Sequence, residues 1–444
     1  MLKSLLLRQY KRVFRSSRWM RMHFTVMGHL CLLVWVISGV FGVDTKSTTT
    51  YQLFVFISIL LLFALVGSLV NRFKASIKRQ LPRYVTVGES LVYQVSISNH
   101  TQKSYHDLVY IEQLALHYPS YAELTHYYQR EHLSWYRRGI SFRLWRRYLY
   151  YQQGAYIEEQ PLKYLAYQQP EQLTLSFTPL RRGKLNFTGA YIGKPDLLGL
   201  FKRFYFAEKV QSCLVLPRRY PISAIALQGS RQYQPGGVSL ANSVGDSPEF
   251  MSLREYQQGD ALNQIHWKSF ARHGKLIVKE YQDEYFVRRA LLLDTYLGEH
   301  DNELFEAAVS VAASIAMSER QNDALLDLMF VGQQCHCFTT GRGVDHMPHL
   351  QEVLAAVQRS DAGSFAKLTT AVVAQQRQCS SMVCVLMHWD QERQDFMQSL
   401  QQQGMPLVVF LLSDGSLTQA SLANKPEHFY LVDMQHIARD LAAI

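Results

Sequence analysis

The densest run of side chains able to do chemistry lies between Glu249 and Glu284, in EFMSLREYQQGDALNQIHWKSFARHGKLIVKEYQDE. Glu255, Asp260, His266 and Glu280 are the residue types that general acid–base catalysis uses. Arg254, Lys268, Arg272 and Lys279 stand among Glu255, Asp260, Glu280, Asp283 and Glu284. The same charges therefore suit a site for an acidic ligand, a docking surface, or a salt-bridged latch between two domains. Ion pairs in such a latch define geometry more than they add stability. Trp267 and Tyr256 are large enough to bury most of their area while a polar tip stays bonded. On these residues the latch is the favoured reading and docking its rival. His266, beside Trp267, reads as a packed residue before a proton shuttle.

Other constellations add little. Cys335-His336-Cys337 sets its ligands closer than a CxxC knuckle and needs His346 or His349 to complete a tetrahedral site, so an ordinary strand is expected. Ser364-x-x-Lys367 has a serine–lysine spacing without its companion motifs. No GxxxxGK[ST], HExxH or GxSxG occurs. No catalytic residue, metal or cofactor is assigned on this reading. An enzyme is the lesser expectation, with a hydrolase or transferase acting through the Glu249–Glu284 cluster as the alternative.

The elements that must carry this segment begin with a membrane unit. Residues 24–43 and 51–70 are each free of charge, and about 20 apolar residues in a helix span the roughly 30 Å of a bilayer core. The net charge of +10 looks like a nucleic-acid signal until the bases are placed. Lys3, Arg8, Lys11, Arg12, Arg15, Arg18 and Arg21 precede the first span, and Arg72, Lys74, Lys78, Arg79 and Arg83 follow the second, with no acid among them. By the positive-inside rule a two-helix transmembrane hairpin is expected, with residues 1–23 and everything after 70 on the cytoplasmic side of a bacterial inner membrane. The lipid bilayer is then the first partner. Cys31, Cys213, Cys335, Cys337, Cys379 and Cys384 suit free thiols in a reducing compartment.

Residues 84–220 read as a β-sandwich-like domain. Tyr84–Asn99 alternates about a Gly-Glu turn and predicts a hairpin, and Gln172–Asp196 repeats the form with turns at Arg182-Gly183 and Lys194-Pro195. Residues 119–169 fit least well. Their Arg137, Arg138, Arg143, Arg146 and Arg147 stand near Trp135 and Trp145, a mixture that could bind single-stranded nucleic acid or lipid headgroups. An insertion packed on its own domain is the preferred reading. Residues 285–444 alternate apolar strands with helices and predict an α/β domain with a mostly parallel sheet.

The order of that domain resembles the von Willebrand factor type A fold. The resemblance sets Asp294, Tyr296 and Gly298 where a D-x-S-x-S motif would bind a divalent cation. Both serines are missing, so the resemblance implies a degenerate site without metal. The preceding segment, residues 245–284, resembles the signature of the domain-of-unknown-function 58 family. Leu253-Arg254-Glu255-Tyr256, Gly259-Asp260, Ile265-His266-Trp267, Ala271-Arg272 and Val278-Lys279-Glu280 carry the likeness, while Ala261 and Asn263 depart from it. The likeness extends back to Arg181–Gly183, to Lys194–Phe201 and to the two-helix anchor. It implies a scaffold or interaction protein working with a MoxR-type AAA+ ATPase, other type A proteins or transglutaminase-like membrane proteins, in assembly or maturation of complexes.

Overall fold

The computed structural model describes residues 2–41, 48–70, 73–119, 142–222, 249–260, 262–282, 288–296, 302–319, 325–331, 335–340, 346–360, 365–375, 379–415, 417 and 424–444. They fall into two compact units, Met1–Arg218 and Arg219–Ile444. The architecture is mixed α/β.

The first unit opens with three helices, α1 (Leu2–His23), α2 (Val26–Phe41) and α3 (Thr48–Val70). Among the described residues one helix, Thr49–Ser68, is long and apolar enough to cross a membrane. Within the expected first span, 24–43, the described residues form a helix of 16 residues, about 24 Å at 1.5 Å per residue. It starts late because Phe24 and Thr25 are engaged elsewhere: the Thr25 amide donates to the Leu200 carbonyl at 3.1 Å. The helices α2 and α3 touch antiparallel. The Trp35 Nε1–H donates to Ser58 Oγ at 2.8 Å, and a side-chain atom at Gly39 would lie 3.1 Å from the Phe54 ring. The basic helix α1 is not merely solvated, since Phe14 is buried against Trp145 with ring centroids 5.5 Å apart.

Among the described residues nine strands follow: β1 (Ala75–Gln80), β2 (Tyr84–Thr86), β3 (Leu91–Asn99), β4 (Tyr105–Leu114), then after the helix α4 (Phe142–Gln153) β5 (Ala155–Ile157), β6 (Gln160–Leu165), β7 (Glu171–Pro179), β8 (Gly183–Pro195) and β9 (Lys202–Leu216). They form two sheets, β1-β3-β7-β5 and β2-β9-β8-β4-β6. Alternation along each strand feeds one shared core, with Tyr93, Val95, Ile97 and Phe177 from one sheet and Tyr110, Phe187, Ile192 and Val215 from the other.

Two expectations change here. Tyr84–Asn99 is not a hairpin: β2 pairs in parallel with β9, while β3 pairs with β1 and β7 in the other sheet. The turn at Gly88, with φ of +80°, carries the chain across the sandwich. The domain also begins earlier, at β1, so Arg79 is no membrane-flank base. Its alternation points it inward, where it meets Glu112 at 2.6 Å with both side chains fully buried. The Tyr93 and Tyr110 hydroxyls donate to the other Glu112 oxygen at 3.0 and 2.9 Å. Burial, with the Glu112 charge alongside, pushes both phenols above their ordinary range. Trp145 is buried on α4, so the insertion packs on its own unit, while Arg143, Arg146 and Arg147 are exposed. Trp135, Arg137 and Arg138 lie outside the described residues.

In the second unit, β10 (Glu249–Glu255) and β11 (Ile277–Gln282) form an antiparallel ribbon around the short helix α5 (Trp267–His273). Then come β12 (Arg288–Leu293), α6 (Asn302–Glu319), β13 (Leu325–Val331), β14 (Cys335–Thr340), α7 (His346–Ala356), α8 (Ala366–Gln375), β15 (Ser381–Leu386), α9 (Gln391–Gln402), β16 (Leu407–Ser413), β17 (His428–Asp433) and α10 (Ile437–Ala442). The six-stranded sheet runs β14-β13-β12-β15-β16-β17, parallel except for β14 at its edge. Both faces are covered. Leu291, Leu293, Val383 and Phe410 pack with α6, and Ala290, Leu292, Cys384 and Val409 pack with Leu368 of α8 and Phe396 of α9. A strand buried on both sides must be apolar at every position, which is why these segments read as continuous runs.

Candidate functional site

The signature segment folds as one lobe. Its two ends are the ribbon itself, with Leu253 opposite Lys279, Arg254 opposite Val278 and Glu255 opposite Ile277. Between them the chain turns at Gly259, whose φ of +114° suits glycine, and passes into α5. Gly274, at φ +67°, ends that helix by donating its amide to the Phe270 carbonyl at 2.9 Å. Ile265 and Val278 are buried and bridge each other beneath it.

The charges hold this backbone. Arg254 grips Asp260 with two parallel bonds, Nη1 to Oδ2 at 2.7 Å and Nη2 to Oδ1 at 2.6 Å, and the Gln257 amide donates to Oδ2 at 2.8 Å. The Arg254 bonds and the Gln257 amide hold the Asp260 carboxyl below the usual carboxylate range. The Glu255–Lys275 pair at 3.0 Å is exposed on both sides. His266 Nδ1 lies 2.6 Å from the Ser269 hydroxyl. Asp260, Glu255 and His266 thus each have a different partner, and the acid–base cluster imagined from the sequence is not assembled around a common point by these bonds. Ala261, Asp283 and Glu284 lie outside the described residues, and Glu280 stands on β11 opposite Ser252.

The large anchors face outward. Trp267 is 61% exposed, against the expectation that it buries most of its area. Leu262, Phe270, Leu253 and Leu276 are exposed as well, and the Trp267 and Phe270 rings meet edge to face at 6.1 Å. Of the signature residues, Tyr256 is half-buried with its amide donating to the Leu276 carbonyl at 2.9 Å, and Ala271 and Arg272 are exposed on α5. Lys279 is half-buried on β11.

A second constellation stands at the carboxyl end of β12. Strand order reverses between β12 and β15, the position at which open α/β sheets bind ligands. Asp294 lies there, fully buried, and an internal cation meets it. Arg393 of α9 donates Nε to Asp294 Oδ2 at 2.8 Å and approaches the same oxygen with Nη2 at 2.7 Å. The Tyr296 amide donates to Oδ1 at 3.0 Å. Arg393 also reaches Asp390 with Nη1 at 2.5 Å, and its guanidinium lies 4.7 Å over the Phe365 ring. Burial pushes the Asp294 carboxyl up, against the pull of Arg393 and the Tyr296 amide. Gly298 lies outside the described residues. The described residues do not fit a divalent ion, because a guanidinium occupies the acid and among them no group of three His, Cys, Asp or Glu converges there. Sequence reasoning singled out Asp294 and missed Arg393, since no local pattern ties residues so far apart in the chain.

The Cys335–Cys337 triplet lies on the edge strand β14, with the His336 ring against Phe330 at 5.3 Å. Among the described residues no three His, Cys, Asp or Glu converge as a metal site would require. Ser364 lies outside them.

The uncharacterized protein YeaD of Bacillus subtilis (strain 168) is 30% identical over 187 residues, which is 41% of this chain and 45% of that protein. The chain thus matches less than half the length of that relative. Among solved structures, the crystal structure of the CARDB domain of the PF1109 protein from Pyrococcus furiosus covers 32% of this chain and 89% of its own, at 10% identity and a TM-score of 0.18. A cohesin module from a family 33 glycoside hydrolase of Clostridium perfringens covers 32% and 98%, at 8% identity and a TM-score of 0.16. Likenesses that low bear on neither fold nor function. The family comparison does bear on the site, since it begins one residue before the Leu253–Tyr256 motif and runs through the sheet as far as β16: residues 252–410 match the family described as a protein of unknown function, DUF58.

Proposed function

We propose that this chain is a membrane-anchored interaction protein of a bacterial inner membrane. On this reading it docks through the signature lobe with a MoxR-type AAA+ ATPase, or with other type A or transglutaminase-like membrane proteins, in the assembly or maturation of complexes. The carrying observation is the outward set of Trp267, Leu262 and Phe270 on a backbone fixed by the Arg254–Asp260 fork. Exposed aromatic anchors on a rigid support are what partner recognition uses. The class of partner comes from the family resemblance.

The anchor in this proposal is a two-helix transmembrane hairpin formed by α2 and α3, with both termini and the soluble units cytoplasmic. The apolar helix Thr49–Ser68, the antiparallel contacts of α2 with α3 and the run of bases in α1 support it. The second unit is read as a type A-like platform. Its support is the 3-2-1-4-5-6 strand order, the acid at the end of its first strand and the guanidinium that neutralises that acid.

The test is recovery of partners from membranes in mild detergent, comparing the intact protein with Trp267→Ala. Because the Trp267 side chain is mostly exposed, that variant should fold. An AAA+ ATPase recovered with the wild type and lost with Trp267→Ala is the expected result. Equal recovery with both proteins would remove the lobe from the interface. Loss of function in Glu255→Gln with partner recovery intact would move the reading to an enzyme.

A further inference from the structure

The two most exposed large apolar side chains among the described residues stand on two segments that are bonded to each other. Leu197 is 89% exposed, in the turn between β8 and β9, and Val26, 80% exposed, is the first residue of α2. Leu198, beside Leu197, is 44% exposed. This turn is not a loose excursion. Asp196 Oδ1 accepts the amides of Leu200 and Phe201 at 2.7 and 2.9 Å, the Asp196 amide donates to the Phe201 carbonyl at 2.8 Å, and Gly199 sits at φ +66°. The side chains are held out by a closed turn.

The turn is fastened to the start of the apolar helix. Thr25 Oγ1 donates to the Gly199 carbonyl at 2.5 Å, and the Phe24 and Phe201 rings lie 4.7 Å apart. The Leu200 carbonyl abuts Gly28, one turn into α2, and leaves no room for a side chain there. The far end of the other apolar helix arrives at the same place, for Arg203 Nη1 donates to the Ser68 carbonyl at 2.9 Å. The entry of one apolar helix and the exit of the other are therefore fixed at one level, and the turn stands at that level. Trp19 and Met20 are exposed just before it, as residues at a bilayer boundary often are.

We infer that the Asp196–Gly199 turn is a lipid-contacting loop, with Leu197 and Leu198 entering the bilayer beside the first turn of α2. The inference rests on the membrane-anchor reading above and extends it. The occupant of this apolar tip is the acyl region just below the headgroups, because the tip is continuous with the lipid-facing surface of α2. Apolar side chains at such a boundary reach about 5–10 Å into it. The partly exposed Lys202 and Arg203 that follow would lie at the height of the phosphates. The soluble β-domain is on this account seated on the membrane.

Photo-crosslinking tests it in the full chain reconstituted into phosphatidylcholine–phosphatidylglycerol vesicles. The amino acid p-benzoylphenylalanine is placed singly at Leu197, at Val34 halfway along α2, and at Leu180, which is exposed beside the opposite end of β8. Mass spectrometry then reads phospholipid adducts. Adducts at positions 197 and 34, and their loss at 180, are expected. An adduct at 34 with none at 197, or a protein adduct in place of lipid at 197, overturns the loop and leaves the anchor standing. No lipid adduct at 34 overturns the anchor, and the loop proposal with it.

Discussion

Arg393 and Asp294 form a buried pair whose disruption should be costly. Both are buried, and full burial keeps Asp294 away from bulk solvent that could replace the guanidinium. Arg393→Met should destabilise the second unit by about 3–5 kcal/mol, the usual penalty for stranding a buried charge. Adding Asp294→Asn should restore part of the loss, because no charge then remains. Chemical unfolding of the single and double variants reads both values, and a single-variant loss under about 1 kcal/mol would mean the carboxylate is not dry. The Arg254–Asp260 fork predicts a pH dependence of known sign. The folded carboxyl titrates below its unfolded value of about 3.9. The pair therefore supports the lobe above that pH and its contribution is lost as pH falls through the folded value. Carbon-13 NMR of labelled Asp side chains should show the Asp260 midpoint rising in Arg254→Gln; an unchanged midpoint would mean that the fork does not hold the charge.

At the scale of elements, the junction of α2 with the β8–β9 turn makes a steric prediction. Gly28→Val would drive a branched side chain into the Leu200 carbonyl. It should free the turn, seen as faster proteolysis near Leu197, with the Asp196 bonds as the remaining restraint. If protection near Leu197 is unchanged, the helix does not dock there. Elements also show what a sequence discloses. The strands β12, β15 and β16 were legible because both their faces are covered, so nearly every position must be apolar. The sandwich was legible as a class but not in its pairing. Alternation says which side chains face inward and nothing about which sheet a strand joins, so β2 and β3 looked like a hairpin. Arg79 was misassigned because a base beside an apolar span and a base inside a strand are alike in composition. Only Glu112, far along the chain, distinguishes them. The Arg254, Asp260 and Trp267 motif is visible as a pattern, yet whether Trp267 faces inward depends on how α5 lies on the ribbon, which spacing does not state.

The whole molecule joins an apolar helix long enough for a bilayer to one basic helix and two folded units. The protein should stay with membranes through alkaline carbonate washing and leave them only in detergent; release by carbonate would reduce the association to a peripheral one. A mechanical consequence follows from the β8–β9 ribbon. Its two strands are paired from Gly183–Val215 to Pro195–Lys202, and β4 and β2 flank them. Tension entering at the turn, where both apolar helices attach, runs along both strands at once. Ladder bonds lie across the strands, so the component of pull along them loads many bonds together in shear and does not peel them open singly. A pull delivered at that turn is therefore resisted by the whole β8–β9 ladder together.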